Sequence, residues 1–350
     1  MVGNGESIHH LEREVIPINK AILFTGKGAR EKVFGFEACM PGRVWIQKSK
    51  VKVLFLFIDG VGLRPPATDN PVHSGICPTL CHLIEQHGVS IDACLEVTGL
   101  PQSATGQTAL FTGVNASQIM GRHCEGFPGP TLRKLIEQGN LFMDLSRKGL
   151  RCRFADAYLV DSVDELRGRR FKSVTTVMAL TQPETISIQD DLMANQAVFH
   201  DITRKSLQEK GLAIPLVTPP QAAEHLIEVA LANDFTLFEF FQTDLAGHSC
   251  QYDQACETLR TLDLFLDMAV RLCKTTGLLL ILTSDHGNIE DMGTRGHTRN
   301  PVPLIALGPG ADEIKNLASS LTDITPRLTR LMVPGHTSMP RTAPPADSAQ

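Results

Sequence analysis

The chain has no long run of lysine or arginine: its 350 residues include 33 basic and 38 acidic ones, for a formal charge of -5 and a pI near 6.2. That leaves no electrostatic footprint for nucleic acid or for an anionic membrane surface, so any binding by basic groups has to be local. No apolar stretch reaches the roughly 20 residues that cross a bilayer, and the first residues contain no secretory apolar core. The expected compartment is the cytoplasm, with neither nucleic acid nor membrane as partner. The nine cysteines are an odd number, scattered singly. Cys77 and Cys81 stand four apart in Cys-Pro-Thr-Leu-Cys, a pattern that indicates neither a structural zinc site nor a disulfide framework. Internal repeats are also lacking.

What the chain has is apolar residues, 42% of the total, enough for a sizeable core and about two domains. Three apolar runs each close on an aspartate: Val53 to Ile58 on Asp59, Phe235 to Thr243 on Asp244, and Leu278 to Ser284 on Asp285. Short, nearly continuous apolar runs closed in this way read as strands of a parallel sheet covered by helices on both faces. The expected fold is therefore α/β, a doubly wound, mostly parallel sheet, and in such sheets ligands gather at the carboxyl ends of strands. His248, His286 and His297 sit close by in sequence, in Asp-Leu-Ala-Gly-His, Ser-Asp-His-Gly-Asn and Arg-Gly-His-Thr-Arg. Carboxylate and imidazole donors without thiolate suit Mn²⁺ or Zn²⁺, so a metal-dependent enzyme is expected.

Residues 1–50 lack sustained periodicity, although Ala21 to Thr25 and Arg43 to Gln47 could be short strands. Residues 51–120 and 221–332 read as the metal-binding core, with helices over Thr79 to His87, Ser103 to Gly113, Ala222 to Asn233 and Gln254 to Cys273. Between them the composition shifts: 121–220 gathers basic residues and a β-prone stretch, Val174 to Thr181, and reads as an inserted, smaller α+β cap. Residues 333–350, rich in Pro, Ala, Ser and Thr, read as a disordered tail.

The order Asp-Gly, Ser opening a helix, Asp-x-x-x-His, Asp-His-Gly-Asn, His-Thr and Asn-Pro-Val-Pro resembles the alkaline phosphatase superfamily, in its branch of cofactor-independent phosphoglycerate mutases and phosphopentomutases. The resemblance covers roughly 51–113 and 225–310. It implies two divalent ions, one held by Asp59, Ser103, Asp285 and His286, the other by Asp244, His248 and His297. It also implies Ser103 as the nucleophile that carries phosphate, with Thr105 as a second choice. A serine hydroxyl is a weak nucleophile unless a base or a metal activates it, and a helix N-terminus favours an incoming phosphate; taken alone, Ser103 would read as a helix cap. Gln107 departs from the family pattern, which has histidine there. Arg122, His123, Arg167, Arg169 and Arg170, with Lys172, are candidates for the far end of a small phosphorylated substrate, since guanidinium forks match phosphate oxygens.

The resemblance implies phosphoryl transfer through a phosphoserine. A cap able to exclude water favours a phosphomutase on a small phosphorylated sugar or glycerate. The alternatives are a phosphomonoesterase of the same superfamily and a catalytically silent metal-binding protein. A sulfatase is disfavoured because Ser103-Ala-Thr-Gly-Gln lacks the Pro and Arg that a modified nucleophile would need.

Overall fold

The structure, a computed structural model, describes residues 51–333; the strands expected near 21–25 and 43–47 and the tail expected from 334 onward lie outside them. Strand β1 (Val53–Ile58) is wholly buried, and alternate residues face opposite ways. Val53, Phe55 and Phe57 join one apolar cluster and Leu54, Leu56 and Ile58 another. A strand with two dry faces can only sit in the middle of a helix-covered sheet.

After β1 come α1 (Pro78–His87), β2 (Gly88–Ile91), α2 (Ser103–Thr112), α3 (Ala116–Met120), α4 (Pro130–Gln138) and α5 (Leu141–Ser146). The middle of the chain gives β3 (Cys152–Tyr158), α6 (Val163–Gly168), α7 (Val174–Leu180), β4 (Ile186–Ile188), α8 (Gln189–Met193), α9 (Lys205–Glu209) and α10 (Pro219–Ala232). The remainder is β5 (Phe235–Phe240), α11 (Gln242–Ser249), α12 (Tyr252–Thr276), β6 (Leu279–Thr283), β7 (Val302–Leu307), α13 (Ala311–Lys315) and α14 (Ile324–Met332). No described helix is long and apolar enough to cross a membrane.

The strands form one seven-stranded sheet in the order β2-β7-β6-β1-β5-β3-β4. Only β7 runs against the others, pairing antiparallel with both β2 and β6. Helices α2, α4, α5, α7 and α14 contribute to the cluster on one face, and α1, α10 and α12 to that on the other. This is the doubly wound, mostly parallel α/β fold that the apolar runs predict.

Two expectations are corrected. Segment 121–220 is not an inserted cap, because β3 pairs in parallel with β5 through Cys152, Arg153 and Phe154, and β4 pairs with β3. The segment thus completes one side of the sheet, within a compact unit that runs unbroken through it. Its composition misleads because β3 carries Arg153 and the buried Asp156 within its run and β4 has only three residues, Ile186–Ile188, so neither shows a continuous apolar stretch. The stretch 174–181 is helical instead of extended: Ser173 caps α7 by accepting from the Thr176 N–H. Burial of Val174 through Ala179 against neighbouring elements overrides their β propensity.

Candidate active site

The three aspartates do meet on the carboxyl rim of the central strands, by somewhat different local routes. Asp59 follows β1 directly; its N–H donates to Phe240 O at 3.0 Å, and Thr243 Oγ1 donates to its carbonyl at 2.5 Å. Gly60 then turns the chain at φ +75°, and a Cβ there would lie 2.9 Å from Asp244. Only glycine allows both the left-handed turn and that approach. Strand β5 ends at Phe240, so Asp244 belongs instead to the first turn of α11, where free N–H groups favour a carboxylate. His248 is one turn on, the i,i+4 spacing that brings two side chains together on one helix face. Asp285 and His286 follow β6 in a loop fixed by Ser284, whose hydroxyl accepts from Val61 N and donates to His286 O, both at 2.9 Å.

Two donor clusters result, Asp59, Asp285 and His286 in one and Asp244, His248 and His297 in the other. In the first, His286 Nε2 stands 3.2 Å from Asp59 Oδ1, 3.5 Å from Asp285 Oδ2 and 2.9 Å from Ser103 Oγ. In the second, Asp244 lies 3.4 Å from His248 Nε2 and 3.5 Å from His297 Nε2. The clusters adjoin, since the His286 and His297 rings stack with centroids 3.6 Å apart. All the ligand positions expected from the sequence, Ser103 included, therefore gather at one place.

The donor set fits divalent cations. His297 Nδ1 lies 2.8 Å from Pro101 O and His248 Nδ1 lies 3.2 Å from Arg295 O; a ring nitrogen beside a carbonyl must carry the proton and donate it. That leaves the two Nε2 atoms, which face each other at 3.1 Å with Asp244 alongside. Only a cation between them relieves that contact, whether a shared proton or a metal ion. In the first cluster, Asp59 Oδ1 and both Asp285 carboxylate oxygens are buried with no hydrogen-bond partner among the described residues, which is costly unless something positive meets them.

The titration of these groups carries the same message. Burial, then the nearby charges of Asp285 and Asp244, hold the Asp59 carboxyl well above its usual range, and burial raises Asp285 as well. Asp244 is held down at about 2: burial works to raise it, but the His297 hydrogen bond, the nearby His286 and the Asn288 amide outweigh that. Burial and the adjacent His297 keep His286 at about 3, so its imidazole is neutral at neutral pH. His297 is raised, its burial outweighed by Asp244 and the Pro101 carbonyl. A bound metal would reverse the carboxylate shifts, since its charge favours the ionised donors.

Several supporting residues have no sequence signal as strong as the ligands'. Gln107, where the family pattern has histidine, donates from Nε2 to Asp59 Oδ2 at 3.1 Å and so orients that carboxylate. Asn288 Nδ2 donates to Asp244 Oδ1 at 2.7 Å. Glu290, fully buried, accepts from Gly62 N, Asn288 N, Thr298 Oγ1 and Asn300 Nδ2 at 2.5–3.0 Å and braces the loop that carries His286 and His297. Behind Asp59, Glu239 of β5 accepts from Thr175 Oγ1 at 2.5 Å, and its N–H donates to Asp156. Burial pushes Glu239 up to about 7. The periodicity of β5 shows Glu239 only as a polar residue within an apolar run.

Thr105 is not placed to be the nucleophile: it is fully buried, and its hydroxyl donates to Gln102 O while accepting from Cys124 N. Among the expected substrate residues, Arg122 borders a cavity of about 770 Å³ beside Gln102 and is exposed. His123 borders the same cavity, but both its ring nitrogens are engaged, Nε2 with Val97 O at 3.2 Å and Nδ1 with Ser117 Oγ at 3.1 Å; it shapes the wall and has no free nitrogen for phosphate. Arg167 pairs with Asp164 and, with Lys172, lines a separate cavity. Arg169 donates to Leu159 O, and Arg170 lies over the Phe171 ring. The structure does not bring these last groups to the metal donors.

Comparison with known proteins places the chain in a family. Residues 51–333 match the profile of the Metalloenzyme superfamily. The chain is 33% identical over 127 residues to a 2,3-bisphosphoglycerate-independent phosphoglycerate mutase of Cereibacter sphaeroides, covering 34% of this chain and 25% of that protein. It is 26% identical over 152 residues to the protein of the same name from Haloquadratum walsbyi, 39% of this chain and 30% of that one. The match thus spans under a third of the length of these relatives. Among solved structures, the alkaline phosphatase of the Antarctic bacterium TAB5 superposes with a TM-score of 0.48 at 13% identity, over 81% of this chain and 99% of that one. Leishmania mexicana phosphoglycerate mutase gives 0.46 at 12% identity, over 82% and 96%. Because the family profile extends over every described residue, including both donor clusters and Ser103, the chain belongs to the metalloenzyme superfamily.

Proposed function

We propose that this protein is a binuclear metal-dependent phosphomonoesterase that passes phosphate through Ser103. The observation that carries the reading is the position of Ser103: first residue of α2, with Oγ 2.9 Å from His286 Nε2, on the rim where both donor clusters lie. Helix α2 has ten residues, and its N-terminal N–H groups and dipole favour a phosphate at that end. Asp59, Ser103, Asp285 and His286 would hold one divalent ion, Mn²⁺ or Zn²⁺, and Asp244, His248 and His297 the other. Bound there, such ions supply Lewis-acid stabilisation of phosphoryl oxygens and favour a deprotonated hydroxyl.

Ser103 Oγ gives up its proton and attacks phosphorus; the bond to the ester oxygen breaks, and that oxygen leaves with its electron pair and takes up a proton, as the alcohol. Water then attacks the phosphoserine, releasing inorganic phosphate and restoring the hydroxyl. Gln107 keeps Asp59 oriented through both steps. Arg122, exposed on the cavity wall beside Gln102, neutralises negative charge on the substrate.

Two features of the fold support water as the acceptor. The mutase expectation rested on a covering cap, and 121–220 extends the sheet instead; the His248 side chain is 43% exposed. A phosphomutase is the second reading, favoured by similarity to the phosphoglycerate mutases over part of their length. Metal-loaded protein incubated with 4-nitrophenyl phosphate, ribose 1-phosphate and 3-phosphoglycerate decides between them. Phosphate release from more than one substrate without isomer is expected. Isomer without phosphate release would replace the hydrolase with a mutase, and no turnover of any substrate with either metal would overturn the catalytic reading.

A further inference from the structure

The cavity of about 770 Å³ that reaches Gln102, the residue before Ser103, also has Arg122, Phe127 and Leu132 in its wall. That volume is in the range that houses a whole small-molecule ligand, far beyond a phosphoryl group. Phe127 of that wall stacks on Phe171 with centroids 5.5 Å apart and planes 28° from parallel, yet the two are 54% and 60% exposed. Arg170 sits 5.1 Å over Phe171, a cation–π contact that holds the rear ring. Two phenylalanines held against each other in water form an apolar face that the core does not use.

This face is referenced to the nucleophile. Thr105 N donates to Cys124 O at 3.4 Å, and Cys124 N donates to Thr105 Oγ1 at 3.2 Å, so the loop bearing Phe127 is tied to the helical turn that carries Ser103. Arg133 Nε holds the other side of the loop through Pro128 O at 2.9 Å.

Building on the phosphomonoesterase reading, we infer that this cavity seats the leaving group and selects monoesters whose leaving group carries a flat ring, with Phe127 as the stacking platform and Phe171 as its backing. A π-face on a fixed aromatic ring binds without regard to ring substituents. Aryl and nucleobase rings therefore share the recognition.

The test compares adenosine 5′-monophosphate with ribose 5-phosphate, both primary sugar esters, so that the ring is the principal difference. Metal-loaded enzyme is expected to show kcat/KM about tenfold higher for the nucleotide, in line with the worth of one stacked base. The ratio should fall to about one in Phe127→Ala and be kept in Phe127→Trp. A ratio near one in the wild type, or one that survives Phe127→Ala, overturns the platform. Pairing 2-phenylethyl phosphate with ethyl phosphate separates the sources: an equal gain identifies any flat ring as the ligand, a gain with the nucleotide alone the nucleobase. If no monoester turns over, the phosphomonoesterase reading fails by itself, and equilibrium binding of the first pair still decides. Tighter nucleotide binding lost in Phe127→Ala sustains the platform, and equal affinities remove it.

Discussion

His297 shows how little of a site's chemistry depends on residue identity alone. Its Nδ1 is committed to the Pro101 carbonyl, and that hydrogen bond leaves the other nitrogen to face Asp244 and His248. The sequence spacing shows that a histidine is present; it does not show which nitrogen is free, because Pro101 reaches it only through the fold. The same holds for Gln107, which reads in the sequence as a lost imidazole and in the structure donates to Asp59. Ser103→Ala should abolish the phosphoenzyme while changing stability by less than about 1 kcal/mol, since Gln102 and not Ser103 occupies the N-cap position. Acid-quench mass spectrometry of the Ser103 peptide checks this. Glu239 gives a pH test on metal-free protein. Its carboxyl, raised to about 7 by burial, keeps its proton longer in the folded than in the unfolded state. Its contribution to stability is therefore complete below about pH 4 and is lost as pH rises through 7. Glu239→Gln lacks that loss, so its melting temperature relative to wild type should climb between pH 5 and 8, by the equivalent of about 3 kcal/mol at most; a flat difference would contradict the assignment.

Single elements were legible in proportion to how much of their burial is local. β1, α1 and α2 read almost to the residue because a continuous apolar run, Pro78 and the Ser103 turn are all signals within a few positions. β5 read too long, since Phe241 and Thr243 continue its apolar run after the backbone has turned into α11. α7 departs from its local propensity because its Thr and Val residues are helical under the packing of α4 and α2. The loop between β6 and β7 gave its histidines but hid Glu290, whose carboxylate joins four donors from distant and near positions. Glu290→Ala leaves those donors without their buried acceptor and should cost about 3 kcal/mol. Thermal unfolding measures that cost, and metal analysis should show the His297 position weakened with it. His297→Ala and Asp244→Ala are each expected to empty one metal position and leave the other filled; loss of both ions from either variant would refute the division of ligands.

The sheet's core strands and the gathering of carboxylates and imidazoles on their rim could be read from the sequence, whereas its β3 and β4 side could not. Membership of a sheet margin depends on a partner strand some 80 residues away, Phe154 beside Leu237, and local composition is silent on that. Exhaustive chelation should abolish activity, with Mn²⁺ or Zn²⁺ restoring it, and should lower the melting temperature by about 5–10 °C relative to protein at a hundredfold excess of metal over its dissociation constant. An unchanged melting temperature would show that the rim binds no ion. The position of β1, between β5 and β6, has a consequence for how the protein is made. Both flanking strands are translated long after β1 itself, so the nascent chain must carry a wholly apolar strand unpaired on both edges while the middle of the protein is synthesised. Exposed strand edges of this kind invite association between chains, which makes the interval before Phe235 leaves the ribosome the period when this protein most depends on chaperones.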